Sequence, residues 1–294
     1  MRRYHRRITI SGVAAAMALG GTLAPVSARE PEEGVRVGNP SFVRKLVPAE
    51  RLEKTAAQQY LALKRQASSR HALMPRNHPQ YIRLHRIARD LLPFVPKWHP
   101  RAKSWKWEIV LINSGNINAF CMPGGKIAVF TGIIEKLKLT DDEIAMIVGH
   151  EIAHALREHS RERAAKTTIT NVGGRIIGAL IFGQAGEALG AGGASLLTLK
   201  FSRDDEKEAD LIGMELAARA GYNPASGITL WQKMSQAAKG GPPQWLSTHP
   251  ASDARVKLIR DNLKYVEGLY ERARAKRATR DAAAPQVPPA TPGR

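Results

Sequence analysis

The chain has 294 residues, of which 43% are apolar and one, Cys121, is a cysteine. This is enough apolar material for one substantial folded domain, and it excludes an intramolecular disulfide. Lys and Arg outnumber Asp and Glu by 45 to 26, for a formal net charge of +19, but no nucleic-acid recognition motif accompanies that charge, so we expect no nucleic-acid partner. The charge favours either peripheral contact with an anionic membrane, envelope polymers or acidic substrates, or solubility alone, and the sequence leaves both open.

The amino terminus has the pattern of an export signal. Arginines within residues 2–7 precede an apolar run over residues 8–21 that is too short to span a membrane, and small residues at Ala28 suit signal peptidase. We therefore expect residues 1–28 to be a signal peptide cleaved near Ala28, and the protein to be exported to the periplasm. A twin-arginine signal is the weaker alternative to the ordinary secretion route.

After a polar lead-in over residues 29–47, the pattern of apolar residues predicts helices followed by short strands. Polarity alternates where a strand is expected, and apolar residues recur at helical spacing where a helix is expected. Pro123-Gly124-Gly125 supplies the turn of a β-hairpin. The predicted elements are helices over Glu50–Ser69 and Tyr81–Leu92, a proline-rich turn over Pro93–Pro100, a strand over Trp107–Ile112 and a hairpin over Asn118–Phe130.

A predicted helix that begins near Thr140 carries the most informative motif of the sequence. Thr140 and Glu143 have the spacing of a capping box, and apolar residues then recur at helical spacing. His150 and His154 are four residues apart, so their imidazoles point to one side of the helix and can bind one metal ion together. Glu151 between them supplies a base. Two core histidines without a metal are the alternative for this pair.

A second predicted helix, with Ser202 as its N-cap, carries the candidate for a third metal ligand. Glu206 and Asp210 share one face, so Glu206 can bind the metal while Asp210 accepts a hydrogen bond from a ligand histidine. Glu208 and Asp205 are the nearest rivals of Glu206, and a solvent-facing side chain is the alternative for Asp210. Three protein ligands leave a fourth coordination position open, as catalytic zinc sites require.

Two further segments are distinguished by their composition. The glycine-rich, apolar residues 172–199 include charged side chains that make them a poor membrane span. We expect a mobile flap near the cleft or, equally, a closely packed helical pair. After His249 the chain is a basic helical stretch to about Arg280, and the alanine- and proline-rich residues 281–294 are expected to be a disordered tail.

Four motifs follow one another along roughly Ala49–Tyr265. They are the strand and turn over Asn118–Ile127, the histidine motif over His150–His154, the acidic motif over Ser202–Asp210, and Ser247–Pro250 with Arg255 beyond it. In this order they resemble the gluzincin zinc metallopeptidases, the family that includes the CaaX prenyl endopeptidases, the heat-shock protease HtpX and the periplasmic proteases BepA and LoiP.

The resemblance implies a zincin-like domain over residues 48–280. Its fold would be α+β and mainly helical, with a small β-sheet or hairpin beside the active-site cleft. It further implies one zinc ion per chain, bound by His150, His154 and Glu206. Glu151 would activate the water that attacks the substrate.

Two residues further along the chain are similar to the downstream histidine and arginine of that family. The resemblance implies that His249 and Arg255 stabilise the oxyanion formed during amide hydrolysis. In some relatives the histidine can also cap the metal at rest. A turn-forming role before Pro250 is the alternative for His249, and a solvated side chain on a basic helix is the alternative for Arg255.

Together these inferences predict a zinc-dependent metalloendopeptidase that hydrolyses unfolded or misassembled cell-envelope proteins in quality control. The hairpin over Asn118–Phe130 would offer an edge to which an extended substrate adds as a strand, unless it is a core hairpin without a free edge. A chaperone-like protein that binds unfolded clients in a mostly idle metal cleft is the alternative function. A basic adaptor with a vestigial site fits less well, because both histidines and both glutamates of the proposed site are present.

Overall fold

The computed structural model describes residues 33–169, 196, 200–250 and 252–283. The expected signal peptide over residues 1–28 lies outside the described residues, as do nearly all of residues 172–199 and most of the expected tail over residues 281–294. The described part is mainly helical, with one small sheet. This confirms the predicted fold class.

The predicted elements are present with small differences in their bounds. Short 3-10 helices replace the proline-rich turn, because prolines in both segments remove the backbone donors that a longer helix needs. The α-helices of the described residues are α1 (Ala49–Ser69), α2 (Pro79–Leu91), α3 (Thr131–Lys136), α4 (Asp141–Leu156), α5 (His159–Ile169), α6 (Arg203–Arg219), α7 (Ser226–Ala238), α8 (Gln244–Thr248), α9 (Asp253–Asn262) and α10 (Glu267–Ala283). The 3-10 helices are Phe42–Leu46, Leu92–Lys97, Pro100–Lys103 and Leu263–Tyr265.

The sheet has three strands, β1 (Glu108–Ile112), β2 (Ala119–Met122) and β3 (Lys126–Phe130), in the order β1-β3-β2. β1 is parallel to β3, and β2 pairs with β3 as an antiparallel hairpin. Gly124 and Gly125 form its turn with φ angles of 80° and 76°, which L side chains rarely adopt. β2 is therefore an edge strand of the described sheet.

α4 and α6 form the centre of the domain and cross at two glycines. A Cβ on Gly213 would lie 2.7 Å from the backbone nitrogen of His150, and a Cβ on Gly149 would lie 2.9 Å from the carbonyl oxygen of Gly213. Both helices begin with a capping box, at Thr140 and at Ser202. Fixed starts and a close crossing hold the ligand-bearing faces of the two helices against each other.

A sharp turn separates α4 from α5. Glu158 occupies it with a φ of 56°, a left-handed conformation that is costly for a residue with a side chain. Its carboxylate receives Arg44 at 2.8 Å and Arg161 at 2.9 Å, which offsets that cost. The turn directs the first residue of α5 back toward the end of α4.

Residues 33–47 of the lead-in segment are part of the folded unit. The backbone nitrogen of Val35 donates to Glu215 on α6 at 2.8 Å, and the carbonyl oxygen of Gly38 accepts from Arg157 at 2.6 Å. The Val35 side chain belongs to the main core. Among the described residues, no helix combines the length and the apolar character that crossing a lipid bilayer demands.

Candidate metal centre

Four buried side chains from three elements meet at the α4–α6 crossing: His150 and His154 of α4, Glu206 of α6, and His249 at the end of α8. One potential ligand atom from each lies within 4.8 Å of the others. Nε2 of His154 is 3.0 Å from Nε2 of His150, and Oε1 of Glu206 is 3.5 Å from Nε2 of His154 and 3.0 Å from Nδ1 of His249. Three nitrogens and a carboxylate at this spacing are a donor set that suits zinc.

One carboxylate oxygen in the cluster supports this assignment. Oε2 of Glu206 is buried and has no hydrogen-bond donor among the described residues. It lies 2.5 Å from Nη1 of Arg255 and 3.5 Å from Nε2 of His150, but neither contact has the direction of a hydrogen bond. Arg255 balances the charge of this carboxylate, but a buried oxygen without a hydrogen-bond donor is costly and a metal ion can complete its environment, so the residues present fit a bound metal.

The pKa values in the cluster show how strongly it favours positive charge. Burial lowers the pKa of His150, but the facing carboxylates of Asp210 and Glu206 outweigh burial and raise it to about 9. Burial and the neighbouring His150 charge hold the pKa of His154 well below its usual value. Burial raises the pKa of Glu206, but the charge of His249 and the close contacts with His150 and His249 lower it overall. The carboxylates thus stabilise a positive charge among the imidazoles.

Asp210 lies behind His150, on the side away from the other ligand atoms. Its Oδ1 is 3.1 Å from Nδ1 of His150. Arg255 holds the same carboxylate with two bonds, from Nε at 2.6 Å and from Nη2 at 2.7 Å. A carboxylate in this position fixes the orientation of a ligand imidazole.

Arg255 itself is 3% exposed and packs between these acidic groups. Its guanidinium also lies over the ring of Trp231, 3.7 Å from the centroid. It does not belong to the lining of the cleft described below. Its position suits the neutralisation of Glu206 and Asp210 better than direct contact with a substrate, and it is not a solvated side chain.

The rivals of Glu206 have other partners. Asp205 accepts the backbone nitrogen of Ser202 at 2.7 Å and completes the capping box of α6. Glu208 accepts Nε of Arg157 at 2.6 Å. Neither carboxylate belongs to the four-residue cluster.

Glu151 lies beside the cluster and is held by an indole that the sequence analysis missed. Nε1 of Trp245 donates to Oε1 of Glu151 at 2.7 Å, and Nε2 of His249 is 3.4 Å from the same oxygen. Phe201 was also missed; its ring stacks on His154 with centroids 3.9 Å apart. Trp245 lies four residues before His249, on the same short helix, and that spacing was the available signal for it.

His159 is a third residue that the sequence analysis missed. It is 2% exposed, and its Nδ1 lies 2.9 Å from Nδ1 of His154. The five-residue spacing from His154 gives no signal for a contact on a continuous helix. The turn at Glu158 is what brings the two rings together.

A cleft of about 440 Å³ opens beside the cluster, and Glu151 and His249 line it. β2 forms one wall, and Phe120 and Phe201 contribute apolar surface. Asn118 accepts from Phe130 at the start of the hairpin ladder. Because antiparallel pairing alternates, the main-chain groups of Cys121 point away from β3.

Comparison with known proteins agrees with this geometry. The chain is 37% identical over 153 residues to the mitochondrial metalloendopeptidase OMA1 of Arabidopsis thaliana, covering 52% of this chain and 31% of that protein. It is 31% identical over 213 residues to OMA1 of Saccharomyces cerevisiae, covering 68% and 61%. It is 30% identical over 151 residues to the metalloprotease LoiP of Escherichia coli, covering 50% and 59%. The chain thus spans between about a third and three fifths of the length of these relatives.

The comparison corrects the expected location. OMA1 relatives from plant, yeast and mammalian species are mitochondrial by name, so the prediction of an exported periplasmic protein is wrong. Residues 1–28 are basic and contain no acidic residue. Secretory and mitochondrial targeting segments share that composition, which is why it misled the prediction.

The family model of peptidase family M48 matches residues 80–263, which include all four residues of the cluster as well as Glu151, Asp210 and Arg255. These matched residues make up more than half of the chain. They also contain all four motifs on which the resemblance to the gluzincin family was based. The chain therefore belongs to peptidase family M48.

Proposed function

We propose that this protein is a zinc metalloendopeptidase whose zinc is held by His150, His154 and Glu206, with Glu151 as the general base. Metallopeptidases of family M48 depend on zinc, and the relatives named above are metalloproteases. The observation that carries the proposal is the buried three-element cluster with Glu151 at its edge, where the cleft opens.

Bound zinc would supply a Lewis acid for the scissile carbonyl and would make water acidic near neutral pH. The side chains of the protein position the substrate and transfer protons. Glu151 lines the cleft and can take the proton of the attacking water and pass it to the leaving amine. The Trp245 indole holds one carboxylate oxygen at 2.7 Å, which leaves the other free to face the substrate.

His249 has a position that suits two roles. Its Nδ1 is close enough to Glu206 and His150, at 3.0 Å and 3.4 Å, to join the ligand set at rest. Its place in the cleft lining would let the same ring donate to the oxyanion after it swings away. Arg255 acts from behind, by balancing the charge of Glu206 and Asp210.

We assign unfolded or misassembled polypeptides as the substrates, in a quality-control function. β2 supports this, because its outer main-chain groups can pair with an extended peptide, and most main-chain groups of a folded protein are already paired. Phe120 and Phe201 would receive apolar side chains that folded proteins bury.

Activity is tested with unfolded casein and the zinc-loaded chain. Glu151→Gln should keep zinc and lose at least about a hundredfold in hydrolysis, because the amide cannot act as a base. Glu135→Gln, at an exposed position of α3, is the matched control and should cut normally. Equal turnover by Glu151→Gln and the unsubstituted chain would reject the assignment of the base.

The substrate class is tested with one disulfide-bonded substrate protein, offered either in its native state or unfolded by reduction and alkylation of its cysteines. Cleavage of the unfolded form alone agrees with strand addition at β2. Equal cleavage of both forms would remove the support for a quality-control role.

A chaperone-like role is the second candidate, favoured by the presence of His249 within the ligand set. A ring in that position would occupy the fourth coordination position and keep the cleft idle. His249→Ala distinguishes the metalloendopeptidase from the chaperone-like protein. A rise in casein cleavage indicates an enzyme whose metal is covered by His249 at rest. Retained client binding without cleavage in both proteins indicates a chaperone.

A further inference from the structure

His159 is a buried histidine that none of the proposed chemical steps uses. It begins α5, and its Nδ1 lies 2.9 Å from Nδ1 of His154. Its Nε2 faces acidic groups, at 3.4 Å from Oε2 of Glu208 and 3.9 Å from Oδ1 of Asp205. The ring therefore lies between a proposed metal ligand and a carboxylate.

Metal binding by Nε2 of His154 would determine which nitrogen donates and which accepts in the contact between His154 and His159. A neutral imidazole then carries its proton on Nδ1, so His154 is the donor of the 2.9 Å contact. Nδ1 of His159 must accept, which places the His159 proton on Nε2, facing Glu208. Every ring nitrogen along this line then has a complementary partner.

Glu208, which lies at the end of this series of contacts, is also held in place. Arg157, which is 5% exposed, donates to Oε2 of Glu208 at 2.6 Å and to the carbonyl oxygen of Gly38 at 2.6 Å. Glu208 is thus held against His159 by the end of α4 and by the lead-in segment. The groups form one continuous chain from the cluster to the surface.

We infer that His159 is a positioning residue of the metal site: by accepting the Nδ1 proton of His154, it fixes the ring orientation and tautomer of that ligand. This rests on the proposed zinc site. His159 does not line the cleft, so it acts on the metal through His154 and not on the substrate. Partners of ligand histidines are worth about 10–100-fold in metal affinity.

Two substitutions separate the contact with His154 from the contact with Glu208. The amide oxygen of asparagine can take the place of Nδ1, so His159→Asn keeps an acceptor for His154 and loses the link to Glu208. The longer glutamine places its amide near Nε2, so His159→Gln keeps the link to Glu208 and loses the acceptor. Both replacements are neutral and polar, which makes them matched for folding.

The experiment measures zinc affinity of the full chain by competition with a chromogenic chelator. His159→Gln should bind zinc about 10–100-fold more weakly, and His159→Asn should bind it nearly as tightly as the unsubstituted chain. Tyr222→Phe is the control for a lost buried hydrogen bond, since the Tyr222 hydroxyl donates to Asp90 at 2.9 Å and lies outside the cluster. Its zinc affinity should not change.

The outcomes are decisive in both directions. Weaker binding by the glutamine variant alone supports the inference, and any other pattern across the two variants overturns it. If the unsubstituted chain binds no zinc, the proposed zinc site fails together with the inference. If that chain binds zinc and both variants match it, the inference alone fails.

Discussion

The two histidines of α4 are supported in different ways on the sides that face away from the cluster. His150 faces the carboxylate of Asp210 directly, and that carboxylate is 3% exposed and held twice by Arg255. His154 faces the ring of His159, and the carboxylate beyond it, Glu208, has a side chain that is 25% exposed.

The supports of His150 and His154 differ in how close the carboxylate is to the ligand ring and in how exposed that carboxylate is to solvent. A carboxylate in direct contact raises the basicity of a ligand imidazole more than a second imidazole does, so the His150 side should hold the metal more strongly. On this side a loss removes both bonds of a bidentate contact with the buried Arg255, whereas on the other side Arg157 would lose one bond and keep the carbonyl oxygen of Gly38. The His154 side ends near water, where screening makes its carboxylate easier to replace. We expect substitutions to have unequal effects on the two sides.

The largest effect should come from breaking the His150 side. Asp210→Ala leaves Arg255 buried without its bidentate partner, which should cost about 3–5 kcal/mol in the free energy of unfolding and weaken zinc binding. Denaturant unfolding and chelator competition measure the two. Glu208→Ala is the matched change on the other side and should cost clearly less; equal losses would remove the distinction between the sides.

A change at the helix crossing should affect both sides together. Gly213→Ala adds a methyl group 2.7 Å from the backbone nitrogen of His150 and pushes α6, with Glu206, away from α4. We expect a loss of about 1–3 kcal/mol in the free energy of unfolding, together with weaker zinc binding. Gly240→Ala is the control, because its nearest atom would lie at 4.0 Å. Unchanged zinc affinity in Gly213→Ala would show that the crossing does not set the ligand spacing.

The turn that places His159 can be tested through pH. Burial raises the pKa of Glu158, but bonds from His99 and Arg44 and the charge of Arg161 lower it overall, from 4.5 to about 2. Because the folded-state pKa is the lower one, the carboxylate stabilises the fold above about pH 4.5, and this contribution is lost as the pH falls toward 2.

Glu158→Gln should therefore lower the free energy of unfolding by about 1–2 kcal/mol at neutral pH, and the difference should shrink toward pH 2. Denaturant titrations of both proteins across this range provide the measurement. A difference that stays constant with pH would mean that the ionised carboxylate does not hold the turn.

The smallest effect should come from a residue that supports neither histidine. Trp245→Phe removes the donor to Glu151 and keeps an aromatic ring beside His249. We expect kcat on casein to fall about tenfold, since a hydrogen bond to a carboxylate is worth at least about 1.5 kcal/mol, with zinc affinity unchanged. Loss of zinc in this variant would show that the indole belongs to the metal site and does not only orient the base.

The local elements were predictable because their signals are short in sequence. The capping boxes at Thr140 and Ser202 and the hairpin turn at Gly124 each depend on residues within one or two turns of chain. Helical spacing likewise put His150 beside His154, and Glu206 on one face with Asp210. Those patterns, with the resemblance they carry, were enough for the family and the fold class.

The support of the ligands was decided by tertiary structure. His159 reaches His154 only because Glu158 takes a left-handed conformation, and that conformation is stabilised by Arg44 from the distant lead-in segment. Trp245 reaches Glu151 only because the fold brings the short helix α8 to the side of the cluster where Glu151 lies. Periodicity describes which residues share a face of one helix. Periodicity does not predict which residues from elsewhere in the chain will contact that face. Those contacts depend on a turn stabilised by distant charges and on a second helix that crosses the first at a glycine.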